Sequence, residues 1–508
     1  MHRNGKVRDL DDLARVLDGH RAENRKIVHC HGVFDLMHIG HIRHMENAKR
    51  LGEVLVVTVT PDRFVNKGPG RPVFGEQLRA EALAALASVD YVAVNRWPTA
   101  VEAIRLLRPH LYVKGAEYGD AGKDRTGAIS LEEEAVRSVG GSLAFTHDLT
   151  FSSSSLINRH LGVLSPEATA YLGDFSTRYA AGDVIRYLDD ARKLKVLVVG
   201  EAIIDEYVFC QALGKSIKEP ILALRSDSVE KFAGGSLAVA NNVADFSDHV
   251  TLLTLLGDQN PQEEFIRERL NPAIDSRFLF RKRSPTIVKR RFVEGYFFQK
   301  MFEVYEINTG PLEEEDDRAM CAALAERIGE YDLVLVIDYG HGMLSANAIR
   351  VLCEGSRFLA LNAQANAGNL GYHSIAKYAR ADYACMGEGE LRLVERERFG
   401  DPKPLVLQLA RKLQCGRMMI TRGKYGALCY AGDTGFRELP ALATQVVDRM
   451  GAGDAFLSVS ALCVVQNAPM EIAAFVGSAA GAEAVATVGH RRSIERVPLL
   501  KHIEALLK

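Results

Sequence analysis

The sequence predicts an α/β protein built as two successive doubly wound units. Three observations carry this. Short β-branched runs alternate with longer helix-compatible stretches along the whole chain, the pattern of a parallel sheet covered by helices. The alternation starts at Lys26 and restarts at Lys195-Val-Leu-Val-Val-Gly200. Each half also holds one glycine-marked strand-to-helix junction rich in polar groups, and open sheets of this kind place their sites at the carboxyl ends of strands. At 508 residues the chain is too long for one ordinary core.

In the first half, Lys26–Phe34, Val54–Thr60, Tyr91–Val94 and Leu111–Val113 read as strands, separated by helical stretches such as Gly40–Leu51 and Gln77–Ala87. A polar, helix-compatible stretch, Pro166–Lys195, reads as a connector. Beyond it, Thr251–Thr254, Leu333–Ile337, Arg357–Asn362 and Arg417–Thr421 continue the strand series. Two β-rich patches with poor helical periodicity, Ile221–Phe232 and Thr286–Asn308, are expected to form a small second sheet over the main one.

Composition narrows the function classes. The chain is 47% apolar and 25% charged, with a formal net charge of -2. No global basic field is present to hold nucleic acid or an anionic membrane. The opening Met1-His-Arg-Asn-Gly-Lys has no apolar signal core, and no apolar run of about 18 residues suggests a membrane span. The eight cysteines are scattered without a Cys-x-x-Cys pair, as expected of buried, reduced thiols in a cytoplasmic protein.

The first junction reads His31-Gly32-Val33-Phe34-Asp35-Leu36-Met37-His38-Ile39-Gly40-His41. It brings His38, His41 and the free N–H groups of a helix start to one place, which suits the oxygens of a triphosphate. Nucleotidyl transfer asks the protein mainly to hold phosphates in line and stabilise charge, and donors can do this. A zinc site at His38, His41 and His44 lacks a carboxylate or thiol at ligand spacing. His44, on the following helix, reads as a packed histidine.

Gly32–Leu51 resembles the cytidylyltransferase-like nucleotidyltransferases, especially the adenylyltransferase half of bifunctional heptose kinase/adenylyltransferases. Thr60-Pro61-Asp62, Lys67, Arg71-Pro72 and Arg79 are similar to that family's phosphate-binding lysine and arginine-proline stretch. Lys114 lies in a segment resembling one near the nucleotide base, and Phe151–Ile157 resembles a serine/threonine cluster that contacts phosphates. The resemblance implies nucleotide contacts from Gly32, Phe34, Arg71, Lys114, Ser153 and Ser154, with His38, His41 and Lys67 catalytic. It favours ATP, with CTP open. The second signature expected of an aminoacyl-tRNA synthetase, a lysine-serine element, is absent from the sequence.

The second junction is Asp448-Arg449-Met450-Gly451-Ala452-Gly453-Asp454, ahead of an apolar helix. Small residues at a helix start let backbone N–H groups close on a phosphoryl group. Asp454 there reads as the base that takes a proton from a substrate hydroxyl, with a plain helix cap as the alternative. This motif and its neighbours resemble the ribokinase-like, PfkB-type sugar kinases. The resemblance implies that Asp205, Gly234, Gly235, Asn242, Lys289 and Arg291 contact the sugar. It implies that Thr421, Gly423, Gly426, Gly451, Ala452 and Gly453 contact nucleotide. Glu390 is then an indirect participant in magnesium binding.

Together the resemblances imply a Rossmann-like nucleotidyltransferase domain over 1–162, a connector over 163–194, and a ribokinase-like kinase domain with a β lid over 195–508. They imply magnesium, a nucleoside triphosphate and a sugar or sugar phosphate as ligands, and a homodimer joined through the lid. The heptose enzymes carry their kinase half first, the reverse of this order. Four positions depart from the kinase pattern: Arg449-Met450 replace threonines, Gly387 an asparagine, Ala238 another, and Asn362-Ala363-Gln364 an Asp-Pro-Lys. Two readings therefore stand: a bifunctional sugar-activating enzyme, or a nucleotidyltransferase whose second domain only binds sugar or dimerises.

Overall fold

The structure, a computed structural model, describes residues 5–115, 128–146 and 164–508. The chain divides into two compact units, Met1–Ser165 together with Leu500–Lys508, and Pro166–Leu499.

The first unit is a five-stranded sheet of β1 Ile27–Gly32, β2 Val54–Val59, β3 Tyr91–Val94, β4 Leu111–Gly115 and β5 Ser142–Thr146. The order is β3-β2-β1-β4-β5, and every pair is parallel. Parallel strands are covered on both faces, so they read as continuous apolar runs; β2, Val-Leu-Val-Val-Thr-Val, is buried throughout. The helix Leu10–Ala22 covers part of the sheet with Leu10, Leu13 and Leu17, starting from an Asp9 cap. Strand order reverses between β1 and β4, which opens a crevice beyond their carboxyl ends. The first strand is shorter than the sequence suggests, because Phe34 turns away in a left-handed conformation at φ 49°. The helix expected over Gly40–Leu51 runs Ile39–Lys49.

The second unit begins with the helices Pro166–Arg178 and Ala181–Asp190. Arg178 anchors the first of them on the buried Glu471 at 2.7 Å. Thirteen strands follow in chain order. They are β6 Lys195–Gly200, β7 Ala202–Lys215, β8 Leu222–Gly235, β9 His249–Gln259, β10 Asp275–Pro285, β11 Ile287–Glu294 and β12 Gln299–Glu306. The remainder are β13 Leu333–Asp338, β14 Leu359–Ala363, β15 Tyr383–Gly387, β16 Arg417–Thr421, β17 Ala427–Ala431 and β18 Gly435–Leu439. The main sheet has the order β10-β9-β6-β13-β14-β15-β16-β17-β18. It is parallel as far as β16 and closes with an antiparallel meander.

The expected small sheet is present, with the order β12-β11-β7-β8. The two β-rich patches supply β8, β11 and β12. The fourth strand, β7, follows Gly200 directly and carries Asp205.

The mostly apolar helices Ala452–Val465 and Met470–Val485 are buried nearly all round and pack on one another, as such helices do in a large core. Among the described residues no helix is long and apolar enough to cross a membrane. All eight cysteines are free, and only Cys321 is partly exposed. The sequence reading carries the second domain to residue 508; in the structure Leu500–Lys508 packs with the first unit instead.

Candidate active sites

In the first unit the β1 exit, the start of the helix Ile39–Lys49 and the loop after β2 converge at the crevice. His38 caps the helix, its Nδ1 accepting from the Gly40 N–H at 3.1 Å. The His38 and His41 rings stack with centroids 3.9 Å apart, and Phe34 meets His41 edge-on at 5.4 Å. Burial, with the nearby His38 and Lys67, holds His41 down at about 3, so its ring is neutral across ordinary pH. His41 Nδ1 is buried without a hydrogen-bond partner. A polar atom left in that state is costly unless something fills its need. Burial also brings Lys67 down to about 8, helped by neighbouring cations.

The loops are fixed from beneath. Arg79, fully buried, donates to Phe74 O (2.8 Å), Val33 O (2.5 Å) and Thr60 O (2.9 Å), and pairs with Asp62 at 2.5 Å. It thus ties the β1 exit to the β2 exit. Asp35 accepts from the Val73 and Phe74 N–H groups at 2.7 and 3.1 Å and lies 3.6 Å from Arg71. A buried chain, His29–Thr58–His31–Thr60, crosses under the crevice through contacts of 2.7, 2.8 and 3.1 Å. Lys114, at the end of β4, pairs with Glu132 at 3.1 Å. His44 meets Thr146 at 2.7 Å, as a packed histidine would. Ser153 and Ser154 lie outside the described residues.

In the second unit the polar residues gather where β7, β11 and β13 meet the start of the helix Ala452–Val465. Asp205 and Arg291, both buried, form an ion pair. Gly234 is what admits this carboxylate: a Cβ there would stand 2.1 Å from Asp205 Oδ2. Lys289 is buried, with its ammonium 5.3 Å from the ring centroids of both Tyr305 and Tyr339. Its pKa is lowered by desolvation.

Asp454 sits in the first turn of the helix and accepts from Tyr339 Oη at 3.1 Å and Gln364 Nε2 at 2.8 Å. Burial raises its pKa. Tyr339 is itself held by Glu201, whose carboxylate accepts from the backbone N–H groups of Tyr339 and His341 at 2.9 and 3.0 Å. Glu390 accepts from Gly387 N at 2.7 Å and Ala365 N at 3.1 Å, so it braces two strand exits. Thr421, Gly423 and Gly426 shape the β16–β17 turn, closed by the Arg422 N–H donating to Gly426 O at 2.8 Å.

Residues 193–496 match the pfkB family carbohydrate kinase profile. The chain belongs to that family. Residues 29–160 match the cytidylyltransferase-like profile, so this pfkB protein carries a nucleotidyltransferase-type domain ahead of its kinase fold, and it is an enzyme of the transferase class. It is 38% identical over 138 residues to the bifunctional protein HldE of Pelobacter propionicus, covering 27% of each chain. It is 42% identical over 115 residues to that of Syntrophotalea carbinolica, covering 22% of this chain and 24% of the other. The chain thus spans about a quarter of the length of the curated relatives it matches. Among solved structures it is similar to Arabidopsis thaliana ribokinase complexed with ribose and ATP: 17% identity, TM-score 0.47, covering 62% of this chain and 99% of that one. The tetrameric inhibited form of Escherichia coli phosphofructokinase-2 gives 14% identity and a TM-score of 0.49, covering 61% and 99%.

Within the pfkB unit, Asp205, Lys289, Arg291 and Asp454 come together around Tyr339. Asn242 does not join them: its amide accepts from Ile494 N at 2.9 Å and faces Ser458 Oγ at 3.5 Å. The departures are accommodated. Arg449 points to solvent, and Met450 packs against the lid cluster of Tyr207, Phe232 and Val293. Asp448 accepts from Tyr207 Oη at 2.7 Å and Lys300 Nζ at 2.6 Å, fastening the turn to the lid strands. Tyr339, Glu201, Gln364 and His490, 3.6 Å from Asp205, were not among the residues expected at the site. Gln364 had a visible signal, since it falls in the segment that departs from the family pattern.

Proposed function

We propose that the protein activates a sugar in two steps: ATP-dependent phosphorylation in the pfkB unit, then nucleotidyl transfer onto the sugar phosphate with release of pyrophosphate. The observation that carries the kinase step is the environment of Asp454. Its carboxylate is buried, oriented by Tyr339 and Gln364, and stands in the turn that follows Gly451-Ala452-Gly453. Burial biases it toward accepting a proton, which suits a general base for a sugar hydroxyl. Asp205 fits as the acceptor for sugar hydroxyls. Lys289 and Arg291 favour a sugar that already bears an anionic group, which the two steps leave in place on the nucleotide-sugar.

The backbone of Gly451–Gly453 would hold the transferring phosphoryl group at the helix start. Magnesium, when bound, shields phosphate charge, and Glu390 is the carboxylate this site offers toward it. The phosphate oxygens would supply most of that ion's remaining ligands.

In the transfer step His38 and His41, neutral, donate to phosphate oxygens, while Lys67 and Arg71 bind the polyphosphate. The unpartnered His41 Nδ1 is consistent with a site built for a ligand. ATP is the favoured triphosphate, and an ADP-sugar of heptose type the favoured product. The enzyme works as a homodimer joined through the lid, whose exposed Phe302 and Val304 on β12 call for cover.

The test is a pair of variants. Asp454→Asn should lose phosphorylation but keep transfer onto a supplied sugar 1-phosphate. His41→Ala should phosphorylate and accumulate the intermediate. Mixing the two should restore nucleotide-sugar formation. A wild type that phosphorylates no sugar yet transfers nucleotide would favour a second unit that only binds sugar.

A further inference from the structure

His490 reaches the kinase centre from the loop after the helix Met470–Val485. Its Nε2 lies 3.6 Å from Asp205 Oδ2, and its ring packs on Gly451. Gly451, at φ 77°, has no Cβ; one placed there would stand 2.4 Å from Cε1 of the imidazole, 2.9 Å from Nδ1 and 3.3 Å from Nε2. The ring therefore fills the space that a side chain at Gly451 would take. Gly451 opens the turn and helix start proposed to hold the transferring phosphoryl group. His490 thus stands between that turn and the carboxylate proposed to bind the sugar, the two places a phosphoryl group has to connect.

The loop that carries the ring is fastened on both sides. The Gly489 N–H donates to Asp448 Oδ2 at 3.0 Å, and Arg491 pairs with Glu230 on β8 at 2.6 Å. Further on, the Ile494 N–H donates to Asn242 Oδ1 at 2.9 Å. A side chain held in this way loses little freedom when it meets a ligand. The imidazole itself stays uncommitted. A gap of 3.6 Å to Asp205 is too long for a hydrogen bond, and among the described residues neither ring nitrogen makes one. The side chain is 12% exposed, so an incoming group can reach it. An imidazole has an N–H to donate in its neutral form as well as its charged form. Such a donor beside a helix start adds to the charge stabilisation that the backbone N–H groups supply.

We propose that His490 is a further catalytic residue of the kinase step, donating a hydrogen bond to a non-bridging oxygen of the phosphoryl group in transit from nucleotide to sugar. This role deepens the proposed kinase step and rests on it. The sugar hydroxyl oxygen bonds to the γ-phosphorus while the bond from that phosphorus to the β,γ-bridging oxygen breaks, and ADP leaves. The hydroxyl proton passes to Asp454. His490 keeps its own proton, and its donor counts most where charge gathers on the equatorial oxygens.

The experiment uses the full chain with magnesium and compares His490→Phe, which keeps a ring on Gly451 but has no N–H, with His490→Gln, which keeps a donor. On a panel of sugars and sugar phosphates, His490→Phe should lower kcat for phosphorylation about 10²-fold and leave the sugar KM within about 3-fold. His490→Gln should keep kcat within about 10-fold of wild type. Titration calorimetry with ADP, and with ADP plus aluminium fluoride as a mimic of the transferring group, reads the same contact without turnover. The phenylalanine variant should bind ADP as wild type does and lose affinity for the aluminium fluoride complex about 10-fold or more. ADP affinity monitors the fold of the unit; should the phenylalanine variant lose it, His490→Ala takes its place. Unchanged kcat in the donor-free variant overturns the proposal, as does an equal loss in the glutamine variant or a loss confined to KM. If wild type binds the aluminium fluoride complex through His490 but phosphorylates none of the panel, the sugar kinase reading fails and the phosphoryl contact stands. A wild type that does neither refutes both.

Discussion

Replacing Asp454 with asparagine removes one proton acceptor and little else. The side chain keeps its size and an oxygen able to accept from Gln364 and Tyr339, so the turn and helix start should persist. General-base removal costs about 10²–10⁴ in rate, or about 3–5 kcal/mol of barrier. Phosphoryl transfer runs through a loose transition state in which the hydroxyl proton moves late, so the loss should sit near about 10²-fold. A coupled ADP-release assay with a panel of sugars measures it.

The same substitution carries an independent thermal signature. Burial raises the Asp454 pKa in the folded state, so the folded protein binds that proton more readily than the unfolded chain. The ionised carboxylate therefore costs stability at pH values above its folded pKa, and costs nothing below the ordinary carboxylate value of about 3.9. Asp454→Asn should melt higher than wild type at pH 7, with the gap closing toward pH ~4. An asparagine variant that keeps phosphorylating sugar would refute the base assignment. A melting gap that fails to shrink on acidification would refute the burial argument.

Four further outcomes are expected. His38→Ala and His41→Ala should each lower nucleotidyl transfer by about 10²-fold, read as pyrophosphate release, with sugar phosphorylation unchanged. Because His41 is neutral and Lys67 lies near 8, kcat/KM for transfer should show no ordinary histidine ionisation and should decline as Lys67 loses its proton above that pH. Arg79→Ala removes a fully buried guanidinium and strands its acceptors, so denaturant unfolding of the first unit should shift by about 3–5 kcal/mol. Light scattering at micromolar protein should give twice the chain mass; a fully active monomer would contradict the lid-mediated dimer.

Much of the framework was legible because local signals and fold agree. Buried parallel strands are apolar without interruption, and β2, β3, β6, β13 and β16 fall where the sequence suggests. The two junctions were equally plain as local structure, since each is a strand end, a glycine turn and a helix start within a few residues. Less was legible where strand identity depends on neighbours. The short β5 and the β17–β18 meander have weak patterns of their own and are strands because adjacent edges offer hydrogen-bond partners.

The sequence by itself determined that two α/β units follow one another and that each holds a glycine-marked strand-to-helix junction. These properties rest on periodicity and on residues a few positions apart. Only the tertiary structure decided which distant side chains complete the sites. Tyr339 and Gln364 reach Asp454 from just beyond β13 and just beyond β14, and Arg79 joins two strand exits from the helix Glu76–Ala84. The segment Leu500–Lys508 joins the first unit from the far end of the chain. Such encounters are set by strand order and packing, which bring together residues whose spacing along the chain carries no record of it.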